Sequence, residues 1–365
     1  MTVVALAGGG TAGHTSPMIA TAQAIRRADP AAAVFCVGTP KGLETRVIPA
    51  AGLDLALVDP VPWPRGWSPA VAAVPVRLAR AVGQARRLLR QRQADVVVGF
   101  GGYASLPVCL AARTARLPVV CHEANAVPGL ANRVAARFAA FTAVTFPGSG
   151  LPREQVIGLP LRAAVADLDR AARRPAARAA LGLPPTGPVL LASGGSQGAQ
   201  RLNTAVVGAL DGLLARGWTV LHATGPANFA AAPAPREDPA TGARYQPVAY
   251  IDAMEEAYAA ADLMLGRAGA ATVVELAVVG LPAILVPLPH GNGEQAKNAA
   301  GLVAAGGAVL VPDAELDAAR LVQTVAELAG PPGRLAAMAA AGPALMPRDA
   351  ADRLAAAALT TARRP

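Results

Sequence analysis

Four times along this chain a short apolar run breaks into a glycine-rich turn and passes straight into helix-compatible sequence. Val3–Ala7 leads into Gly8-Gly9-Gly10-Thr11-Ala12-Gly13-His14, and Asp95-Val96-Val97-Val98 into Gly99-Phe100-Gly101-Gly102-Tyr103. Val189–Ala192 leads into Gly194-Gly195-Ser196-Gln197-Gly198, and Leu263-Met264-Leu265 into Gly266-Arg267-Ala268-Gly269. Apolar runs without polar alternation suit strands buried on both faces, as in a parallel sheet covered by helices. The turn after Ala192 is followed by Leu202, Val206 and Leu210 at helical spacing. Strand, glycine turn and helix point free backbone N–H groups and the positive end of a helix dipole at one place, which suits a phosphate. No turn carries the Gly-Lys-Ser/Thr ending of a P-loop, and the Gly194 turn is not Gly-x-Gly-x-x-Gly either. An ordinary tight turn is the competing reading.

The chain is an α/β protein of the doubly wound kind, and 365 residues suit two domains of roughly 150 to 180 residues each. Pro147, Gly148, Gly150, Pro152, Gly158 and Pro160 cluster where a boundary is needed. The expected division is an N-terminal domain over 1–160, a second over 161–345, and a terminal helix over 346–365. Further strands are expected at Val34–Val37, Ala56–Val58, from Val119, at Thr219–Ala223, at Val248–Ile251 and from Pro282. Helices are expected over Pro17–Ala28, along a stripe of Val74, Leu78, Val82, Ala85 and Leu89, and over 349–364. No window resembles a transmembrane helix. The opening residues read as a first strand rather than a signal peptide. Cys36, Cys109 and Cys121 show no metal spacing and read as free buried thiols of a reducing cytoplasm.

In a doubly wound sheet the ligand crevice lies beyond the carboxyl ends of the strands. His14, Tyr103, Ser105, His122, Glu123 and Asn125 would gather there in the N-terminal domain. In the second domain the amides of Ala270, Ala271 and Thr272 would face an anion, and Glu275, one turn on, could accept from ribose hydroxyls.

Charge is unevenly spread. Residues 1–160 hold 16 Lys/Arg against 7 Asp/Glu, whereas residues 161–365 hold 17 of each. Between 60 and 94 there is no acidic residue, while Arg65, Arg77, Arg80, Arg86, Arg87, Arg90 and Arg92 accumulate. An anionic partner is expected for this half. Trp63 and Trp67 precede the basic helix, and tryptophans beside a cationic helix suit a peripheral contact with anionic lipid. A solvated basic face on an ordinary packed helix is the simpler alternative. Nucleic acid is not expected, because no recognised binding motif is present.

Taken in order, Gly8–His14, Gly99–Tyr103, His122-Glu123-Ala124-Asn125, Gly194–Ala199, Tyr250-Ile251-Asp252, Ala268–Glu275, Gly280-Leu281-Pro282-Ala283 and His290–Asn298 resemble the MurG family over nearly the whole chain. That family comprises bacterial N-acetylglucosaminyltransferases that convert lipid I to lipid II in peptidoglycan synthesis. The resemblance implies a GT-B fold, two Rossmann-like domains facing across a cleft, and a peripheral enzyme at the cytoplasmic face of the cell membrane. UDP-GlcNAc and lipid I would be its substrates, and other cell-wall enzymes stay open as partners. It implies donor contacts from Thr11, Ala12, Gly13, Asn125, Arg162, Ser196 with its neighbours Gln197 and Gly198, Ile251, Glu275, Glu294 and Gln295. No cofactor is implied, and no Asp-x-Asp pair stands where a metal would be needed.

Transfer would invert the anomeric centre, with a positioned base deprotonating the attacking alcohol. His14 is the first choice, with His122 or Glu123 next. Gly158-Leu159-Pro160-Leu161 stands where relatives have Gly-Asn-Pro-Val, and Glu294-Gln295 replaces a Gln-Gln pair. A related GT-B transferase with another lipid or secondary-metabolite acceptor is the alternative.

Overall fold

A computed structural model describes residues 1–10, 12–61, 73–195, 197–289 and 293–362. The chain divides into two compact units, Met1–Arg162 with Arg348–Pro365, and Ala163–Pro347.

The first unit runs β1 (Val3–Ala7), α1 (Ala12–Ala28), β2 (Ala33–Gly38), α2 (Glu44–Ala50), β3 (Asp54–Leu57), α3 (Val74–Gln91), β4 (Val96–Gly99), α4 (Gly102–Thr114), β5 (Val119–Glu123), α5 (Leu130–Ala135), β6 (Phe141–Val144) and β7 (Glu154–Val156). Its strands are all parallel, in the order β3-β2-β1-β4-β5-β6-β7. The second unit runs α6 (Ala163–Ala166), α7 (Arg170–Ala180), β8 (Val189–Ser193), α8 (Gln200–Leu214), β9 (Thr219–Ala223), β10 (Arg236–Glu237), β11 (Arg244–Val248), α9 (Met254–Ala260), β12 (Leu263–Gly266), α10 (Ala270–Val279), β13 (Ala283–Leu285), α11 (Glu294–Ala304), β14 (Ala308–Leu310), α12 (Ala318–Ala329) and α13 (Arg334–Ala341). Its order is β10-β11-β9-β8-β12-β13-β14, parallel except where β10 meets β11. A last helix, α14 (Ala350–Ala362), returns to the first unit.

Both sheets reverse their winding beside their own first strand, between β1 and β4 and between β8 and β12. A doubly wound sheet opens its ligand crevice at such a switch point. All four glycine turns therefore lie there, two in each unit. The strands that flank them are buried except at Ser193, Val4 to Ala7 and Val189 to Leu191 being fully covered. In the first unit the core on one side of the sheet is shared with α14, whose Leu354, Ala355 and Ala358 are fully buried among Leu6, Met18, Ile25, Val96 and Val98.

Three local expectations need correction. Helix α1 begins at Ala12 rather than Pro17, so residues 12–14 belong to the helix and not to the turn. Pro17 has no N–H, which leaves the Gly13 carbonyl without its i+4 amide, a loss tolerated this near a helix start. Val248–Ile251 contributes only Val248 to β11, and β3 lies at Asp54–Leu57 rather than Ala56–Val58. Strand β11 reads Arg-Tyr-Gln-Pro-Val and lies next to the edge, with Tyr245 buried and Arg244 exposed. It therefore lacks the continuous apolar run that marks a central strand.

Candidate active site

In the first unit the β1 and β4 turns meet around the ring of His14, which is half-buried in the first turn of α1. Its Nδ1 lies 3.1 Å from the Gly9 carbonyl oxygen. A carbonyl can only accept, so Nδ1 carries the hydrogen and the neutral ring keeps its lone pair on Nε2. The ring is bordered by two glycines: a Cβ on Gly101 would fall 3.3 Å from Nε2, and one on Gly102 3.3 Å from Nδ1. Gly102 has φ +80°, and a Cβ there would fall 2.4 Å from the Gly9 oxygen. Any larger residue would push apart the two turns that hold the imidazole. Tyr103, half-exposed at the start of α4, borders the same place, whereas Ser105 is fully buried against Cys109.

The Gly8–Gly10 turn is anchored from behind by Glu44, a residue that sequence reasoning missed. This carboxylate is fully buried at the start of α2. It accepts from the Gly10 N–H at 2.9 Å and from the Thr39 N–H and hydroxyl, each at 2.8 Å. Burial alone would raise its pKa. The hydrogen bonds from Gly10, from Thr39 and from its own amide outweigh that and hold it below the usual carboxylate range. One signal was available in the sequence: Glu44 is the only acidic residue between Asp29 and Asp54.

His122 and Glu123 do not gather with His14 as alternative bases. His122 is fully buried, its Nε2 donates to the Gly158 carbonyl at 3.0 Å, and burial pushes its pKa down to about 4. The lone pair it keeps is on Nδ1, which is sealed from solvent. Glu123 is 3% exposed, and its oxygens accept from the Asn125 and Gly129 N–H groups and from Asn132 Nδ2 at 2.9–3.0 Å. Both are framework for the β5 turn, because a base must reach an alcohol that arrives from water. Asn125, half-buried, is set at the mouth of that turn by Glu123. Leu159 is buried, 1% exposed. Arg162 is half-buried at the end of the first unit's main segment.

In the second unit the β8 and β12 turns end in helices whose N-caps, Ala199 and Gly269, offer no side-chain hydrogen bond to the first amides. Such N–H groups need an outside acceptor, and the helix dipole favours an anionic one. Ala270, Ala271 and Thr272 form the first turn of α10, and Glu275 follows, half-buried. Thr11 and Ser196 lie outside the described residues, as do Trp63, Trp67 and His290. Of Ala12 only the backbone, at the start of α1, is described, with Gly13 beside it.

Gln197 and Gly198 sit in a turn packed tightly on Thr224-Gly225. At Gly198, with φ +76°, a Cβ would fall 2.1 Å from the Thr224 oxygen. Asn203 also holds that oxygen, at 2.9 Å from Nδ2, and its Oδ1 accepts from His222 Nε2 at 3.1 Å. Tyr245 OH completes the buried chain on His222 Nδ1 at 3.2 Å. Burial holds His222 at about 4, so the ring is neutral at neutral pH and can donate on one side and accept on the other. Ile251, in the loop after β11, is buried. Glu294 and Gln295 open α11, both half-buried, and Gln295 Oε1 accepts from the Leu288 N–H at 2.9 Å.

The three cysteines are free and buried, and burial raises Cys36 to about 12 and Cys109 to about 11, so neither is a nucleophile at neutral pH.

Each half of the chain is similar to a known domain: the glycosyltransferase family 28 N-terminal domain over residues 4–144 and the glycosyltransferase family 28 C-terminal domain over 189–354. A protein of Cutibacterium acnes named UDP-N-acetylglucosamine--N-acetylmuramyl-(pentapeptide) pyrophosphoryl-undecaprenol N-acetylglucosamine transferase is 55% identical, over 97% of this chain and 96% of that protein. One of the same name from a Nocardioides species is 53% identical, over 96% of each. The crystal structure of Acinetobacter baumannii MurG superposes with a TM-score of 0.79 at 28% identity, covering 99% of this chain and all of that one.

Proposed function

The chain belongs to glycosyltransferase family 28, and from that premise we propose that it is an N-acetylglucosaminyltransferase of the MurG type. It transfers GlcNAc from UDP-GlcNAc to the C4 hydroxyl of the N-acetylmuramyl group of lipid I, giving lipid II and UDP. The observation that carries this reading is 55% identity along almost the full length of a protein so named.

The muramyl C4 oxygen attacks the anomeric carbon of the donor as the bond from that carbon to the β-phosphate oxygen breaks. The new linkage is β-1,4, the hydroxyl proton passes to a base, and the electron pair leaves with UDP. His14 Nε2 is that base, since Nδ1 is already committed to Gly9. The diphosphate gains charge as it leaves, and the uncapped first turns of α8 and α10 suit it, with preset amides and dipoles that need no reorganisation. Glu275 accepts from the ribose, while Glu294 and Gln295 meet the sugar. The first unit takes the acceptor, and the second supplies most of the contacts to the donor.

The decisive assay is UDP release from UDP-GlcNAc with lipid I as acceptor, run beside a diacylglycerol and small aglycones. Lipid I is expected to be the strongly preferred acceptor. Turnover with another acceptor alone would move the protein to a different branch of the GT-B enzymes.

We also propose that the first unit rests on the cytoplasmic face of the membrane. Among the described residues no helix is long and apolar enough to cross a bilayer. Helix α3 instead buries Val74, Ala81, Ala85 and Leu89 and exposes Arg77, Arg80, Arg86, Arg87 and Arg90, none of which forms an ion pair among the described residues. Val76, 66% exposed, lies among them. Each arginine near an anionic surface contributes about 1 kcal/mol, so four together favour binding strongly. Changing Arg77, Arg80, Arg86 and Arg87 to Glu is expected to abolish pelleting with phosphatidylglycerol vesicles. Unchanged pelleting would overturn the assignment.

A further inference from the structure

Glu275 is not held by its own helix alone. From α9, Tyr258 reaches across and donates its hydroxyl to Glu275 Oε2 at 2.7 Å. Tyr258 is 1% exposed, so its phenol ring is part of the core and only its oxygen is spent on this bond. An ionised carboxylate cannot donate, so the direction is fixed, and the bond is of the stronger, charge-assisted kind.

The tyrosine is itself set from behind. Arg170 on α7 donates from Nε to the Tyr258 carbonyl at 2.9 Å, from one NH₂ group to Ala261 O at 2.6 Å, and from the other to Gly280 O at 2.5 Å. One guanidinium thus ties the end of α9 to the end of α10, the two helices that the Tyr258–Glu275 bond also joins. Burial, and then the neighbouring Arg174, push Arg170 down to about 10, still fully charged at neutral pH.

We infer that Tyr258 is a positioning residue for nucleotide recognition: it fixes the Glu275 carboxylate in the orientation that accepts from the ribose hydroxyls. A glutamate has three side-chain torsions, and ordering them on binding costs affinity. A bond that orders them beforehand removes that cost. The proposal rests on the reading of Glu275 as the ribose acceptor.

The test compares Tyr258→Phe and Glu275→Gln, with Kd measured for UDP and for 2′,3′-dideoxyuridine diphosphate. Loss of the phenol hydroxyl is expected to weaken UDP about three- to tenfold, the scale of one hydrogen bond. It should leave the dideoxy nucleotide within about twofold, and leave kcat at saturating donor nearly unchanged. Glu275→Gln should erase most of the preference for UDP over the dideoxy nucleotide, and adding Tyr258→Phe to it should cost nothing further. Equal weakening of both nucleotides by Tyr258→Phe would make the tyrosine merely structural and overturn the proposal. So would an unchanged UDP affinity. If Glu275→Gln keeps the full preference, the ribose reading itself falls and takes the proposal with it. Because each variant is judged by a ratio of two ligands on the same protein, partial unfolding cannot imitate the expected result.

Discussion

Replacing His14 with alanine is expected to lower kcat by about 10²- to 10⁴-fold, the usual worth of a positioned general base, while leaving the Kd for UDP-GlcNAc within about twofold. The split follows from where the ring sits. Its Nδ1–H is committed to the Gly9 carbonyl, which sets the tautomer with the lone pair on Nε2. The ring belongs to the first unit, whereas the amides and the carboxylate assigned to the nucleotide belong to the second. Removing it takes away proton transfer and little of the grip on UDP. Quench-flow turnover and donor titration on one preparation measure the two quantities, and a near-normal kcat would remove His14 as the base.

Glu44→Gln is expected to destabilise the first unit by roughly 2–4 kcal/mol at neutral pH. The carboxylate faces four donors, the Gly10 and Thr39 N–H groups, the Thr39 hydroxyl and its own amide, and an amide in its place turns one acceptor into a further donor. There is no room to turn away, since a Cβ built on Gly9 would already fall 2.3 Å from Glu44 Oε1. The pH dependence has a definite sign. The folded pKa is lowered, so the unfolded chain binds the proton more readily, and the stabilisation is present above the ordinary carboxylate pKa and lost as pH falls through the folded value. His122 and His222, both held near 4, weaken the parent and the variant alike between about pH 6.5 and 4, so the difference between the two proteins isolates Glu44. Chemical unfolding at pH 7 and pH 4 should show a large gap that narrows in acid. A gap that stays constant would mean the carboxylate is not ionised in the fold. Turnover should fall as well, because the Gly9 carbonyl that orients His14 belongs to the turn Glu44 anchors.

The sequence announced the parallel sheets and their glycine turns because buried strands are written as unbroken apolar runs and each turn needs residues without a side chain. His14, Ala270 and Glu275 could be proposed from the sequence because they follow those turns directly. Polar residues at strand ends were harder to rank. His122 and Glu123 stand where a crevice residue would stand, yet both side chains run into buried hydrogen bonds with Gly158, Gly129 and Asn132. Local pattern cannot separate a polar group that meets a ligand from one that meets the protein itself, 36 residues away for His122 and 6 to 9 for Glu123. For the same reason Glu44 and Tyr258 escaped notice, since Glu44's partner Gly10 is 34 positions off and Tyr258's partner Glu275 is 17 off on another helix. The helix start at Ala12 was hidden by Pro17, which normally marks a first turn.

The return of α14 to the first unit also bears on how the protein is made. Leu354, Ala355 and Ala358 fill the same core as Leu6 and Val98, and Arg27 pairs with Asp352 at 2.8 Å on its rim. The first unit has all seven strands by Val156 but must wait for α14 before its sheet is sealed, whereas the intervening unit is complete by Pro347. A nascent chain halted short of residue 350 would carry a finished second lobe behind an open first one, with an apolar groove for a chaperone to cover.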